Sequence, residues 1–414
     1  MTTYLEAAKD AYMGLLLRWN NMAPIKGDPE KGEAPATDGF WIAANTFNAF
    51  LDYWICTGEP AAREITFPIR DYFHKTVKED ATDADLKKLT KKGLAAGPWL
   101  DDYGWWGNAF LTGWESAAAL GFSGDDVAEC KQSAINCWTI MKYGWDTGKT
   151  PPVPGGVWNC KRDEWYLTGR NTVTNSVFWL LSVRLAALTN DSQYLDPDSL
   201  QWFADGFAKS LLFNKTQDQQ ENIYTVRERF ICEHDWDRAP GFYWAGDQGL
   251  FLRCLFEEKR PMESDFEQLK TQILDAVLND MVDDKKVIHD HTMPTILNQF
   301  DNDYATGKGV FVRHALKIVQ VTSNQKLKDC IMASANFAWN TATVLPDLHH
   351  YFQFCWNKKG KLPPGNNWDT TYKEEKDALP IRAVILQASG LDAVSAAAAL
   401  NRDGVIPPLP PLTK

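Results

Sequence analysis

Apolar residues recur along this chain at helical spacing. Leu5, Ala8, Tyr12, Leu15 and Trp19 form one stripe, and Trp41, Ala44, Phe47, Leu51 and Trp54 form a second. The same period predicts further helices over roughly 103–120, 125–144, 171–188, 198–212, 245–258, 264–282, 308–322, 326–343 and 380–400, with poorer ones near 65–77 and 83–95. Alternation of period two is confined to the stretch from Asn222 to Ile231 and the one from Lys286 to Asp290, which predicts small β-hairpins set in loops. No Pro/Ser-rich linker interrupts the even spacing, so residues 1–414 are expected to form one domain of helical hairpins. About twelve helices paired in this way, with long Gly-, Pro- and Trp-rich loops, predict an all-α fold, an (α/α)6 barrel. No fixed-length repeat is present, which ranks an open solenoid lower. The tail Pro407-Pro408-Leu409-Pro410-Pro411 cannot be helical and is expected to lie extended on the surface.

Composition narrows the function classes. A hydrophobic share of 44% and a charged share of 23% exclude a disordered chain. A net charge of -11 opposes nucleic acid and anionic membrane surfaces. No apolar run approaching the roughly 18 residues of a membrane span is expected. The 18 Trp are more than a core requires, and they divide by context. Trp19, Trp54, Trp138, Trp179 and Trp202 fall on apolar stripes and read as core. Trp41, Trp99, Trp105, Trp106, Trp158, Trp244 and Trp368 lie near Gly-rich loops and are candidates for stacking on a ligand. None of the eight Cys forms a Cys-x-x-Cys pair, and several sit in apolar helical contexts, so buried free thiols are expected. The first residues lack a basic region followed by an apolar one, the pattern of a secretory leader. A cytoplasmic protein and a secreted one whose leader has been removed both remain open. The two sequons, Asn190-Asp191-Ser192 and Asn214-Lys215-Thr216, are usable only in the second case.

The sharpest chemistry lies in Trp99-Leu100-Asp101-Asp102-Tyr103-Gly104-Trp105-Trp106-Gly107-Asn108. Adjacent Asp residues before an apolar helix are ordinarily an N-cap and a first-turn acid. Here flat rings crowd the polar turn, and Gly104 and Gly107 allow a ligand or a backbone to come close. Two carboxylates so near one another cannot both ionise freely, so one holds a proton and the other stays anionic. That division supplies a proton donor and a nucleophile for glycosidic cleavage with retention, where the carboxyls lie about 5 Å apart. Pyranose rings stack on Trp and Tyr faces. An acid pair beside an aromatic platform therefore reads as a carbohydrate site.

The run Asp101-Asp102-Tyr103-Gly104-Trp105-Trp106-Gly107 resembles the signature of glycoside hydrolase family 76, the endo-α-1,6-mannanases and their fungal cell-wall relatives: an Asp pair, two variable residues and Trp-Trp-Gly. The resemblance implies an (α/α)6 barrel, with Asp101 as nucleophile and Asp102 as acid/base. It continues in chain order through Asp38-Gly39-Phe40-Trp41 with Asn45, Gly155-Gly156-Val157-Trp158-Asn159, and Arg170-Asn171-Thr172-Val173-Thr174-Asn175. Trp244-Ala245-Gly246-Asp247-Gln248-Gly249 stands where the family has Trp-Thr-Tyr-Asn-Gln-Gly, and Gly307-Lys308-Gly309-Val310-Phe311 where it has Phe-Lys-Gly-Ile-Phe. The change to Ala245-Gly246 removes a Tyr ring and hydroxyl, and Gly307 removes an aromatic wall, so substrate choice is expected to differ more than chemistry.

The expected site is thus Asp101 and Asp102 for catalysis, with Trp41, Asn45, Tyr103, Trp105, Trp106, Asn171, Asn175, Asp247, Gln248 and Lys308 holding substrate. Asp101, Asn171, Asp247 and Asp303 are expected to converge at one end of the barrel. Each secondary residue also has a plain structural reading. Asn171 and Asn175 suit either hydroxyl recognition or helix capping. Asp247 and Gln248 suit an N-cap, and Lys308 and Arg313 suit pairing with Asp301 or Asp303. His289-Asp290-His291 lacks a nearby third ligand, so no metal is expected. Neither a Gly-x-Ser-x-Gly elbow nor a phosphate-binding Gly loop is present, and no cofactor is called for. A retaining hydrolase or transglycosidase on α-linked mannose glycans, α-1,6-mannan first, is the leading reading. A carbohydrate-binding barrel without catalysis, an intracellular enzyme on a small glycoside or specialised metabolite, and a sugar epimerase are the alternatives.

Overall fold

The computed structural model describes residues 2–20, 39–59, 62–90, 99–148, 153–160, 169–209, 225–228, 244–289, 301–344, 349–352, 356 and 380–409. Fourteen α-helices lie within them: α1 (Tyr4–Asn20), α2 (Gly39–Thr57), α3 (Ala62–His74), α4 (Asp83–Leu89), α5 (Leu100–Glu115), α6 (Ala117–Leu120), α7 (Gly124–Tyr143), α8 (Thr172–Thr189), α9 (Ser199–Ala208), α10 (Ala245–Glu257), α11 (Ser264–Asp280), α12 (Asp301–Thr322), α13 (Gln325–Thr341) and α14 (Pro380–Leu400). The short strands β1 (Thr343–Val344) and β2 (His350–Tyr351) pair antiparallel, Thr343 opposite Tyr351.

Six helices form a closed ring. α2 packs on α5, α5 on α8, α8 on α10, α10 on α12, α12 on α14, and α14 returns to α2. The remaining long helices back them: α1 on α14, α3 on α2, α7 on α5, α9 on α8, α11 on α10, and α13 on α12 and α14. This is the expected (α/α)6 barrel. The inner helices run parallel, as their contacts show. A Cβ on Gly104 would fall 2.8 Å from Val177 Cβ, and one on Gly107 would fall 2.7 Å from Leu181 Cδ2, so α5 and α8 advance together. These two glycines admit the neighbouring helix, which is the second of the two uses expected of them. With a return helix after each inner one, all six inner N-termini point to the same end.

Inner helices are enclosed on nearly every side, so their apolar residues lack a single stripe. In α8, buried residues run without a break from Thr174 to Leu185. That enclosure corrects the expectation of no span-like run: α8 and the Ala383–Leu400 part of α14 are long and apolar enough to cross a membrane, yet 72% and 89% of those windows are buried in the ring. Helix starts also differ from the pattern. α12 begins at Asp301, before its apolar residues, and α5 begins at Leu100, so the acid pair lies inside its first turn. The hairpin expected after Lys286 is present as a bridge between Val282 and Ile288. Only 225–228 of the other expected strand fall among the described residues. Cys56, Cys130, Cys137, Cys160, Cys254 and Cys330 are free thiols, as expected.

A layer of buried charge ties the ring together deeper down the helices. Arg313 of α12 donates to Asp392 of α14 through Nε (3.2 Å) and Nη2 (2.7 Å), and to Asn45 Oδ1 of α2 through Nη1 (3.0 Å). Nearer the surface, the buried Arg184 of α8 forks onto the exposed Glu115 of α5 at 2.9 and 2.8 Å, and also reaches Asn108 Oδ1 at 3.0 Å. Burial pushes the Asp392 carboxyl from 3.8 up to about 6, while Arg313 draws it back. The folded value lies above the unfolded one, so ionising Asp392 costs stability as pH rises from 3.8 towards about 6. Arg313→Met leaves that carboxylate buried without its cation. The variant should lose about 3–5 kcal/mol at pH 8, and clearly less at pH 5, where the carboxyl holds a proton. Urea denaturation at both pH values checks this, and an equal loss at both would contradict it.

Candidate active site

The acid pair sits in the first turn of α5. Leu100 N–H donates to Asn159 O (2.8 Å), which fixes where the helix starts. Asp102 folds back so that its Oδ2 accepts the Trp99 N–H at 3.1 Å, satisfying one of the orphan donors of the helix end. Its side chain is buried, and its charge adds to burial in raising the phenol pKa values of Tyr72 and Tyr103. Asp101 is half-buried, one position earlier at the mouth of the ring. The positive end of the helix dipole favours a negative charge in this turn, while the nearness of the two carboxyls opposes a second one.

The aromatic surroundings divide into two groups. Trp105 follows Asp101 by one helical turn and meets Trp244 edge-on, ring centroids 6.4 Å apart at 84°. Trp41, in the first turn of α2, keeps part of its surface exposed. Trp106 is different. Its ring is wholly enclosed among Phe40, Phe47, Phe73 and Phe110, and its Nε1 donates to Phe40 O at 2.9 Å. Tyr103 is enclosed too, edge-on to Phe40. The expectation that Trp106 and Tyr103 hold substrate is therefore corrected: they are core residues that back the acid turn.

Four carboxamides expected at the substrate are engaged by the protein itself. Asn171 caps α8, its Oδ1 accepting Thr174 N–H at 3.0 Å. Asn175 grips Val157 at both ends, accepting its N–H (2.7 Å) and donating to its carbonyl (3.1 Å). Gln248 does the same to Val226, at 2.8 and 2.7 Å. Asn45 accepts from Arg313 and donates to Trp41 O at 3.2 Å. For Asn175 and Gln248 the engagement has one physical cause. A loop entering a buried barrel mouth leaves backbone groups that only a side-chain amide can satisfy from both directions.

Asp247 and Lys308 lie buried on α10 and α12, Lys308 Nζ 5.7 Å from the Trp356 ring centroid. Asp101, Asp247 and Asp303 each occupy the first turn of an inner helix and Asn171 the N-cap of another, so all four belong to the same end of the ring. Arg170 was not singled out in the sequence. It is wholly buried, donates through Nη1 to Val153 O (2.7 Å), Gly155 O (2.6 Å) and Asp146 Oδ2 (3.2 Å), and lies over the Trp158 ring. The only signal for it was an Arg directly before a helix N-cap. Among the described residues, His74, Glu79 and Glu129 could converge on a metal ion, but Arg70 already pairs with Glu129 at 2.7 Å. His289 is described and the rest of His289-Asp290-His291 lies outside the described residues.

The profile of glycosyl hydrolase family 76 matches residues 3–399. Dfg5 from Chaetomium thermophilum, solved with glucosamine, is similar in structure at a TM-score of 0.68 and 18% identity, over 98% of this chain and 94% of that one. The Lin0763 protein of Listeria innocua is similar at 0.64 and 15%, over 97% and 99%. An inactive variant of the α-1,6-mannanase GH76A of Salegentibacter sp. HEL1_6, with two adjacent Asp changed to Asn and α-1,6-mannotriose bound, is similar at 0.62 and 15%, over 96% and 100%. No curated protein matches the sequence.

Replacing Asn175 by Leu would strand the N–H and the carbonyl of Val157 in a buried setting. We expect a loss of about 2–4 kcal/mol, with faster hydrogen exchange concentrated at Val157 and its neighbours. Unchanged exchange there would show that Asn175 does not hold the loop.

Proposed function

This chain belongs to glycosyl hydrolase family 76, and from that premise we propose that it cleaves or transfers α-linked mannose glycans with retention, α-1,6-linked ones first. One observation carries the reading: two adjacent aspartates in the first turn of an inner helix, at the mouth of the ring, beside the Trp105–Trp244 pair. The bound α-1,6-mannotriose in the doubly Asp-substituted Salegentibacter enzyme supports it.

The roles follow from the positions of the two acids. Asp101, the more open carboxylate, attacks the anomeric carbon while the glycosidic C–O bond breaks. Asp102 gives its proton to the departing oxygen. In the second step Asp102 takes a proton from water, or from a sugar hydroxyl in a transfer, as that oxygen displaces Asp101. Two displacements need the carboxyls about 5 Å apart and one needs roughly 6.5–9.5 Å, and adjacent positions in the chain suit the shorter separation better. Substrate contacts in this proposal fall to Trp41, Trp105, Asp247 and Lys308.

The tests use an aryl α-mannoside and α-1,6-mannotriose. Asp101→Asn should lower turnover of both by roughly a thousandfold or more. Asp102→Asn should harm mannotriose far more, because an activated aryl group leaves unprotonated. Azide should then accelerate Asp102→Asn and yield the azide with retained configuration. Inverted product from the unaltered enzyme, read by NMR, would sink the two-step mechanism.

A further inference from the structure

Gly246 has no conformational reason to be glycine. It lies in the first turn of α10 without the positive φ that favours this residue. Glycine in a helix is the poorer choice by about 1 kcal/mol against alanine. Its surroundings supply the reason. A Cβ at 246 would fall 2.6 Å from Trp244 Cζ2 and closer still to the next two ring atoms, so the benzo edge of that indole rests directly on the Gly246 Cα. Trp244 thereby lies flat against its own helix start, nearly buried, with its ring meeting Trp105. Trp105 in turn stands one helical turn from Asp101.

We infer that Gly246 is a specificity-determining residue: by leaving room for the Trp244 ring, it sets where the Trp105–Trp244 pair stands beside the acid turn and so the length of glycan that fits. Gly246 is a positioning residue, acting through Trp244 without touching sugar itself. Any side chain at 246 turns the indole off the helix and breaks its edge-on contact with Trp105. The displaced ring moves the wall against which a neighbouring sugar packs, so a longer glycan suffers more than a single-ring substrate. The inference rests on the mannosidase reading above.

A double-mutant cycle tests it, with Gly246→Ala made alone and together with Trp244→Ala. Gly246→Ala alone should raise KM for α-1,6-mannotriose about tenfold with kcat nearly unchanged, and affect a one-ring aryl α-mannoside less. In the Trp244→Ala background the same change should leave both constants where they were. Melting temperature gives a second readout with a change of sign. Gly246→Ala should lower Tm when Trp244 is present and raise it when the indole is gone, where only the better helix former counts. Additive effects in the cycle, or equal losses on the two substrates, would overturn the inference and leave the family chemistry standing. An unaltered enzyme inactive on both mannosides would sink the mannosidase reading, and the inference with it.

Discussion

Arg313 joins three inner helices at the point where the ring closes. Its guanidinium spans from Asp392 on the last inner helix to Asn45 on the first, residues far apart in the chain. Buried polar groups join the inner helices here in addition to apolar contact. Arg184 and Glu115 make the same kind of junction between α8 and α5, and His314, wholly buried among Arg253, Arg313 and Arg184, is held well below its usual pKa by burial first and those cations second. Buried pairs of this kind add little net stability compared with apolar packing. What they impose is register, since each fork fits only when its two helices stand at one height.

Register at the charged layer decides what happens at the other end. Parallel helices locked at one height present their first turns together, and with them Asp101, Asp102, Asp247 and Asp303. The first turn of a helix is the place where carboxylates are favoured and where backbone N–H groups lack partners. Loops entering that end must be satisfied from the helices, and Asn175 and Gln248 do so at the fourth position of α8 and α10 alike. Asn175 and Gln248 thus belong to the frame of the mouth. The site proper is left to the acids, the part-exposed Trp41, the nearly buried Trp105 and Lys308.

Much of this was legible in the sequence, and the illegible part has a physical cause. Periodicity located the helices because each outer helix must bury one stripe, and the even spacing pointed to hairpins. The acid pair was visible because two adjacent Asp stand in a run matching the family signature, beside Tyr103, Trp105 and Trp106. Sequence cannot say which way a ring turns, so Trp106 and Trp105, adjacent in the chain, were given one role. They point to different sides of α5: Trp106 into the Phe cluster and Trp105 towards Trp244. Asn175 and Gln248 were left with two readings for a related cause. A side-chain amide that binds backbone and one that binds sugar carry the same donors and acceptors, and only the neighbour distinguishes them. The service of Gly246 to Trp244 depends on a ring two residues earlier folding back, which no spacing rule encodes.

The central claim is that a side chain in the first turn of α5 becomes covalently bound to sugar during turnover. A mannosyl fluoride carrying a second fluorine on the ring slows breakdown of the glycosyl-enzyme and lets it accumulate. After such a reaction, proteolysis and mass spectrometry of the labelled peptide identify the residue that carries the sugar. The account predicts one fluoromannosyl group per chain, on the carboxylate of Asp101. A label on any other residue, or an enzyme that turns over mannosides yet never acquires the label, would contradict it.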